Sequence, residues 1–169
     1  MSIAQSLLPE LDQENATTRK YLERVPEDQL GFQPHPKSMT MAHLASHVAS
    51  IQQWGATTLT TDSFDISPPG GEPYRPHIAA SRAELLEIFD KAAAQFREAL
   101  AAATDEQFLA SWSLLAGGNT LFTLPRVAVL RGMILNHLVH HRGQLSVYFR
   151  LTGVPVPSTY GPSADEGQS

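Results

Sequence analysis

Read without reference to any structure, the sequence predicts an all-α fold: a four-helix bundle with a long crossover between helix 2 and helix 3. Three observations predict it. Four stretches place apolar residues at helical spacing, capping residues stand at their starts, and a run of proline and glycine separates the second stretch from the third.

The first helix begins at Ser2, whose spacing to Gln5 fits a capping box, and carries Ile3, Leu7, Leu11, Thr18, Leu22 and Val25 as an imperfect stripe. It ends before Pro26. Asn15 falls on that stripe, where its amide needs a buried partner. The second helix opens near Ser38 or Thr40 and runs to about Thr60, with Met41, Leu44, His47, Val48 and Ile51 on one broad face.

Residues 61–80 hold Pro68, Pro69, Gly70, Gly71, Pro73 and Pro76, a composition that breaks helix and strand alike and reads as the crossover. A third helix starts at Ser81, with Glu84 completing a second capping box, and presents Leu85, Ile88, Phe89, Ala92, Phe96 and Leu100. Between 104 and 123, two short apolar runs flank Ala116-Gly117-Gly118-Asn119, which allows a hairpin or an irregular excursion. For the fourth helix, Thr123 can cap, Pro125 suits the first turn, and Val127, Leu130, Ile134, His137, Leu138, His141, Leu145 and Tyr148 form the inner stripe. Gly153 and Pro155 stop it.

A chain of 169 residues, 42% of them apolar, suits a single domain spanning 1–169, with an extended arm from about 154 that packs before fraying. Net charge is −5 and the arginines are scattered, so a nucleic-acid partner is disfavoured. The sequence also predicts a cytoplasmic protein with no membrane association, from the missing signal-peptide pattern and the lack of a long apolar run. With no cysteine, metal ligands can come only from histidine, carboxylate or water.

Chemistry concentrates in the histidines. His137 and His141 lie four residues apart on a helical stripe, so both imidazoles project from one face, and burying two imidazoles a turn apart calls for a shared partner such as a metal ion or water. His47, on the inner face of helix 2, can add a third nitrogen. His43 lies about 40° away towards the stripe's edge and His140 about 60° from His137 at the rim, so both are weaker candidates. His35 and His77 fall in proline-rich loops and read as exposed. Arg142 and Arg150 are expected to point outward as solvated or inter-subunit charges. Gln144 lies on the ligand side, able to orient a metal-bound water or to cap a carbonyl; Trp54 and Tyr148 can line a pocket or serve as core.

The motif His137-x-x-x-His141-Arg142-Gly143-Gln144, the stretch from Tyr148-Phe149-Arg150 to Val156-Pro157, and the ending Tyr160-Gly161-Pro162-Ser163-Ala164-Asp165-Glu166 resemble the DinB/YfiT-like family of metal-dependent proteins. The segment from Ser38 to His47 is similar to that family's second-helix motif. The resemblance implies His47, His137 and His141 as a metal triad, helices in up-down-down-up order, and a homodimer. It further implies a small-molecule substrate and, in some members, S-transfer from a low-molecular-weight thiol.

Three histidines leave a coordination position open, which suggests catalysis rather than a structural site. The expected activity is that of a divalent-metal-dependent enzyme, a thiol S-transferase or hydrolase acting on a small electrophile. Zinc is the first choice of metal, with nickel, iron or manganese accepted by similar donors. Asn15, Glu14 or a backbone carbonyl is expected to receive the ligands' second ring protons. Two other readings use the same residues: a metal-binding stress-response or small-molecule-binding protein without turnover, and a helical dimerisation domain with a histidine cluster.

Overall fold

A computed structural model of the chain describes residues 1–167. Helix α1 spans Ile3–Leu22, α2 Met41–Thr60 and α3 Arg82–Ala102. A short α4, Asp105–Leu109, leads into strands β2 (Ser111–Ala116) and β3 (Asn119–Pro125), while β1 (Ser63–Asp65) lies in the crossover. The last helical stretch comprises α5 (Arg126–Val129), a π-helical segment (Leu130–Leu135) and α6 (Asn136–Thr152) without a break. Among the described residues, no helix is long and apolar enough to cross a membrane.

Helix starts follow the sequence closely. Ser2 and Gln5 exchange both hydrogen bonds of a capping box, and Thr40 accepts from His43 N at 3.2 Å. At α3 the box is only half formed: Ser81 accepts from Glu84 N, but the Glu84 carboxylate accepts instead from Ala80 N and from His77 Nε2. Gly153 ends α6 with φ 75°, a left-handed turn that glycine adopts at no steric cost.

One core fills the space among α1, α2, α3 and α6, with Leu11, Leu44, Val48, Phe89, Leu138 and Phe149 each almost fully buried. Helix α3 packs against both α1 and α2, and α6 packs against α2 and α1. A second, smaller cluster gathers Trp112, Leu114 and Val129, with Trp54, Phe64, Ile66 and Phe122 against them.

The all-α expectation is corrected by that second cluster, because it rests on a three-stranded sheet of order β1-β2-β3. Strand β1 runs parallel to β2, and β2 pairs antiparallel with β3 through a register shift between Leu114 and Leu115. The crossover's composition breaks strands only from Pro68 onward, so residues 63–65 keep the N–H groups a ladder needs and form β1, against the expectation of no strand there. The hairpin itself was one of the two outcomes the sequence allowed.

Thr123 does not cap a helix. It lies within β3, its hydroxyl 2.7 Å from that of Ser113, and Pro125 precedes the helix that starts at Arg126. Arg126 is buried and donates to the carbonyls of Thr58, Thr61 and Ser111 and to Asp62, closing the C-terminal turn of α2 against the hairpin. The arm after α6 packs as far as Glu166, which pairs with Arg24. The fraying expected at its end falls partly on residues 168–169, outside the described residues.

Candidate metal centre

Helix α2 supplies His47 and α6 supplies His137 and His141, and the packing of these two helices sets the three rings together. Centroid separations are 4.9 Å for His47 and His137, 4.5 Å for His47 and His141, and 4.6 Å for His137 and His141. His137 Nε2 lies 3.2 Å from His47 Nε2 and 2.8 Å from His141 Nε2. All three side chains are half-buried.

The outer nitrogens decide the chemistry of the inner ones. His137 Nδ1 donates to the Met133 carbonyl at 3.2 Å, and His141 Nδ1 donates to Gln144 Oε1 at 2.7 Å. An acceptor opposite Nδ1 places the ring proton there and leaves Nε2 as a lone pair. Convergent lone pairs repel one another until a proton or a cation lies between them. With three imidazole nitrogens so placed, this cluster can hold a metal ion.

Electrostatics point the same way. Burial, followed by the charges His141, His137 and His43 would carry, pushes the His47 pKa down to about 4. Burial also lowers the His141 pKa, offset in part by its bond to Gln144. Both rings are consequently neutral at pH 7, the form in which imidazole ligates.

Two cavities flank the cluster. One of about 370 Å³ is bounded by His47 and His137 together with Trp54, Trp112, Leu114 and Ile134. The other, about 470 Å³, opens beside His141, Gln144, Tyr148 and Lys37. Trp54 and Tyr148 thus line cavities, and the Tyr148 hydroxyl also donates to the Met39 carbonyl at 2.8 Å.

The remaining candidates divide. His43 is half-buried and outside the cluster, and His140 is exposed, its Nε2 3.1 Å from Gln144 Nε2. His35 and His77 are exposed; His35 Nδ1 accepts from Lys37 N, and His77 pairs with Glu84. Arg150 is exposed and pairs with Asp165 at 2.7 Å.

Arg142 overturns its outward assignment. It is 1% exposed, held between α6 and α1 by Glu14, Thr18 and the Tyr160 hydroxyl. Glu14 consequently serves Arg142, and Asn15 accepts from Gln52 Nε2 at 2.5 Å, so neither orients a histidine. The acceptors are the Met133 carbonyl and Gln144. Trp112 and Leu114 form a wall that helical periodicity does not reveal, although their alternation in β2, both buried, is a readable strand signal.

Comparison with known proteins completes the picture. The model of the DinB superfamily matches residues 10–145. YrdA of Bacillus subtilis, described as an uncharacterized protein, is 27% identical over 150 residues, covering 88% of this chain and 83% of its own. The crystal structure of a DinB-like protein from Bacillus cereus superposes with a TM-score of 0.70 at 24% identity, over 94% of this chain and 98% of the other. That of the DinB-like protein YjoA from B. subtilis gives 0.67 at 18%, over 91% and 97%. With its match extending from α1 into α6 and its backbone shared with two solved relatives, the chain belongs to the DinB superfamily.

Proposed function

We propose that this chain is a divalent-metal-dependent enzyme in which His47, His137 and His141 hold the ion, zinc foremost, and that it carries a thiol or water to a small electrophile. The observation that carries this reading is the convergence of three Nε2 atoms, two of them on rings whose Nδ1 protons are already committed to acceptors. A bound divalent ion supplies Lewis acidity that lowers the pKa of a coordinated thiol or water.

The chain's own groups do the rest. Met133 and Gln144 fix the orientation of His137 and His141, and the walls of the adjoining cavity exclude water from one side of the cluster. No cysteine is available as an internal nucleophile, which fits a thiol supplied from outside. The reading includes an up-down-down-up order for α1, α2, α3 and α6, supported by the long 61–81 connection and the shared packing of α3.

The test uses tag-free protein. Titration calorimetry and elemental analysis should give one zinc per chain, and His47→Ala, His137→Ala and His141→Ala should each weaken binding by at least about 100-fold, as loss of a ligand costs more than loss of an orienting partner. A His141→Ala variant with unaltered metal content would refute the triad. Zinc-loaded protein is then assayed for S-transfer and hydrolysis with a panel of thiols and electrophiles. Thiol binding at the metal without transfer to any electrophile would favour a binding protein over an enzyme.

A further inference from the structure

We infer that the 370 Å³ cavity beside His47 and His137 is a binding site for an uncharged ligand with a flat aromatic body, presented with one end towards the histidines. This rests on the proposed metal site for its orientation but not for its existence. No aspartate, glutamate, lysine or arginine side chain lines the cavity.

Two of the wall's polar groups, on Thr58 and Trp112, are already committed. Thr58 Oγ1 donates to the Trp54 carbonyl at 2.7 Å, and Trp112 Nε1 donates to Thr61 Oγ1 at 3.2 Å. A charged ligand body would lose its hydration here with no carboxylate, ammonium or guanidinium group in the wall to meet it, which is costly. An apolar ring loses nothing and gains contact.

Shape follows from the aromatic frame. Trp54 meets Phe64 and Tyr74 edge to face, both at centroid distances of 5.0 Å, so its ring is held upright in the wall. Trp112, anchored at 1% exposure, stands in the same cavity. Apolar cavities of about 150 Å³ already take benzene, so this volume suits a substituted or fused ring. Its walls come from three places: α2, the π-helical segment with its neighbours, and the crossover with the hairpin. The last of these is an element that helix packing alone does not require.

The chain reports on this site directly, because Trp54 and Trp112 are its two tryptophans and both line the cavity. Tryptophan emission is followed while p-nitrotoluene, p-nitrobenzoate and p-nitrobenzylamine are titrated into full-length protein, once stripped with EDTA and once loaded with zinc. Saturable quenching by p-nitrotoluene is expected, with a midpoint at least tenfold below those of the two charged analogues and present in both metal states. Ile66→Lys, on the crossover wall, should shift the preference towards p-nitrobenzoate. Collisional, unsaturable quenching by all three, or tighter binding of a charged analogue to the unaltered protein, would overturn the inference. Neutral-ring binding in protein that takes up no zinc would overturn the metal reading and leave this one standing.

Discussion

At the scale of single residues, the decisive question is how a histidine on a helix is kept unprotonated. Burial is the first cause at His47, and the neighbouring imidazoles add repulsion, so the folded chain refuses a proton that the unfolded chain accepts near pH 6.5 until about pH 4. Between those values the unfolded state binds more protons, and stability therefore falls as pH is lowered. Above pH 6.5 the effect is fully present and flat. In metal-stripped protein the difference in melting temperature between wild type and His47→Gln should change across pH 6.5 to 4 and stay constant above. Parallel curves throughout that window would mean the His47 ring is not desolvated. The pairing of His137 and His141 was legible because four-residue spacing puts two imidazoles on one face whatever the tertiary context, whereas His47 joins the cluster through the packing of α2 on α6. Arg142 was not, because it lies between Leu138 and Leu145 on a helix buried along two faces: one turned to α2, the other to α1 and the C-terminal arm. A single inner stripe cannot describe such a helix.

Elements are positioned by close approaches that helical periodicity does not reveal. Gly55, mid-way along α2, costs that helix about 1 kcal/mol relative to alanine by propensity alone. A Cβ there would sit 2.6 to 2.8 Å from ring atoms of Phe96, itself 1% exposed in α3, so the glycine lets these two helices meet. Gly55→Ala should therefore lower the denaturation free energy by about 1–3 kcal/mol, as overpacking does, despite the better propensity. A urea midpoint at or above that of wild type would show that Phe96 can move aside. The small sheet follows a similar logic. Asp65 accepts from the amides of Ser67, Gly117 and Gly118, tying β1 to the hairpin turn, where Gly117 and Gly118 both have positive φ. Burial raises the Asp65 pKa, but these three bonds more than offset it and hold the carboxyl below its usual range. Replacing Asp65 with alanine should speed amide exchange in 111–125 while leaving α1 and α3 protected. The sequence showed the Gly117-Gly118 turn clearly. Its anchor, 52 residues upstream, left no local signal.

Over the whole molecule, the long-range tie is the group around Arg142, which joins α1, α6 and the C-terminal arm at one buried point. Its guanidinium reaches Glu14 Oε2 at 2.6 Å and donates to the Tyr160 hydroxyl at 2.8 Å, and that hydroxyl donates to Glu14 Oε1 at 2.9 Å. The Tyr21 and Tyr160 rings lie 5.9 Å and 5.5 Å from the same guanidinium carbon, adding cation–π contact. Arg24 pairs with Glu166 further along the arm, and Tyr21 Oη lies 2.8 Å from Thr159 Oγ1. Burying two charges is costly, and that cost is offset by their direct contact and by bonds to the Glu14 carbonyl, Thr18 and Tyr160, although Glu14 Oε2 has only the ion pair and no hydrogen bond of good geometry. Removing one partner should thus do more harm than removing both. Arg142→Met leaves Glu14 charged and 7% exposed with its main partner gone, and about 3–5 kcal/mol of stability should be lost in urea denaturation. Glu14→Leu combined with Arg142→Met should recover most of that loss. Arg150→Met, at the exposed pair with Asp165, should hardly move the midpoint. A double variant as unstable as the single one would place the value of Arg142 in packing against Tyr21 and Tyr160 rather than in charge. The arm would then be held by aromatic contact, and shortening it before Tyr160 should destabilise wild type and the double variant unequally.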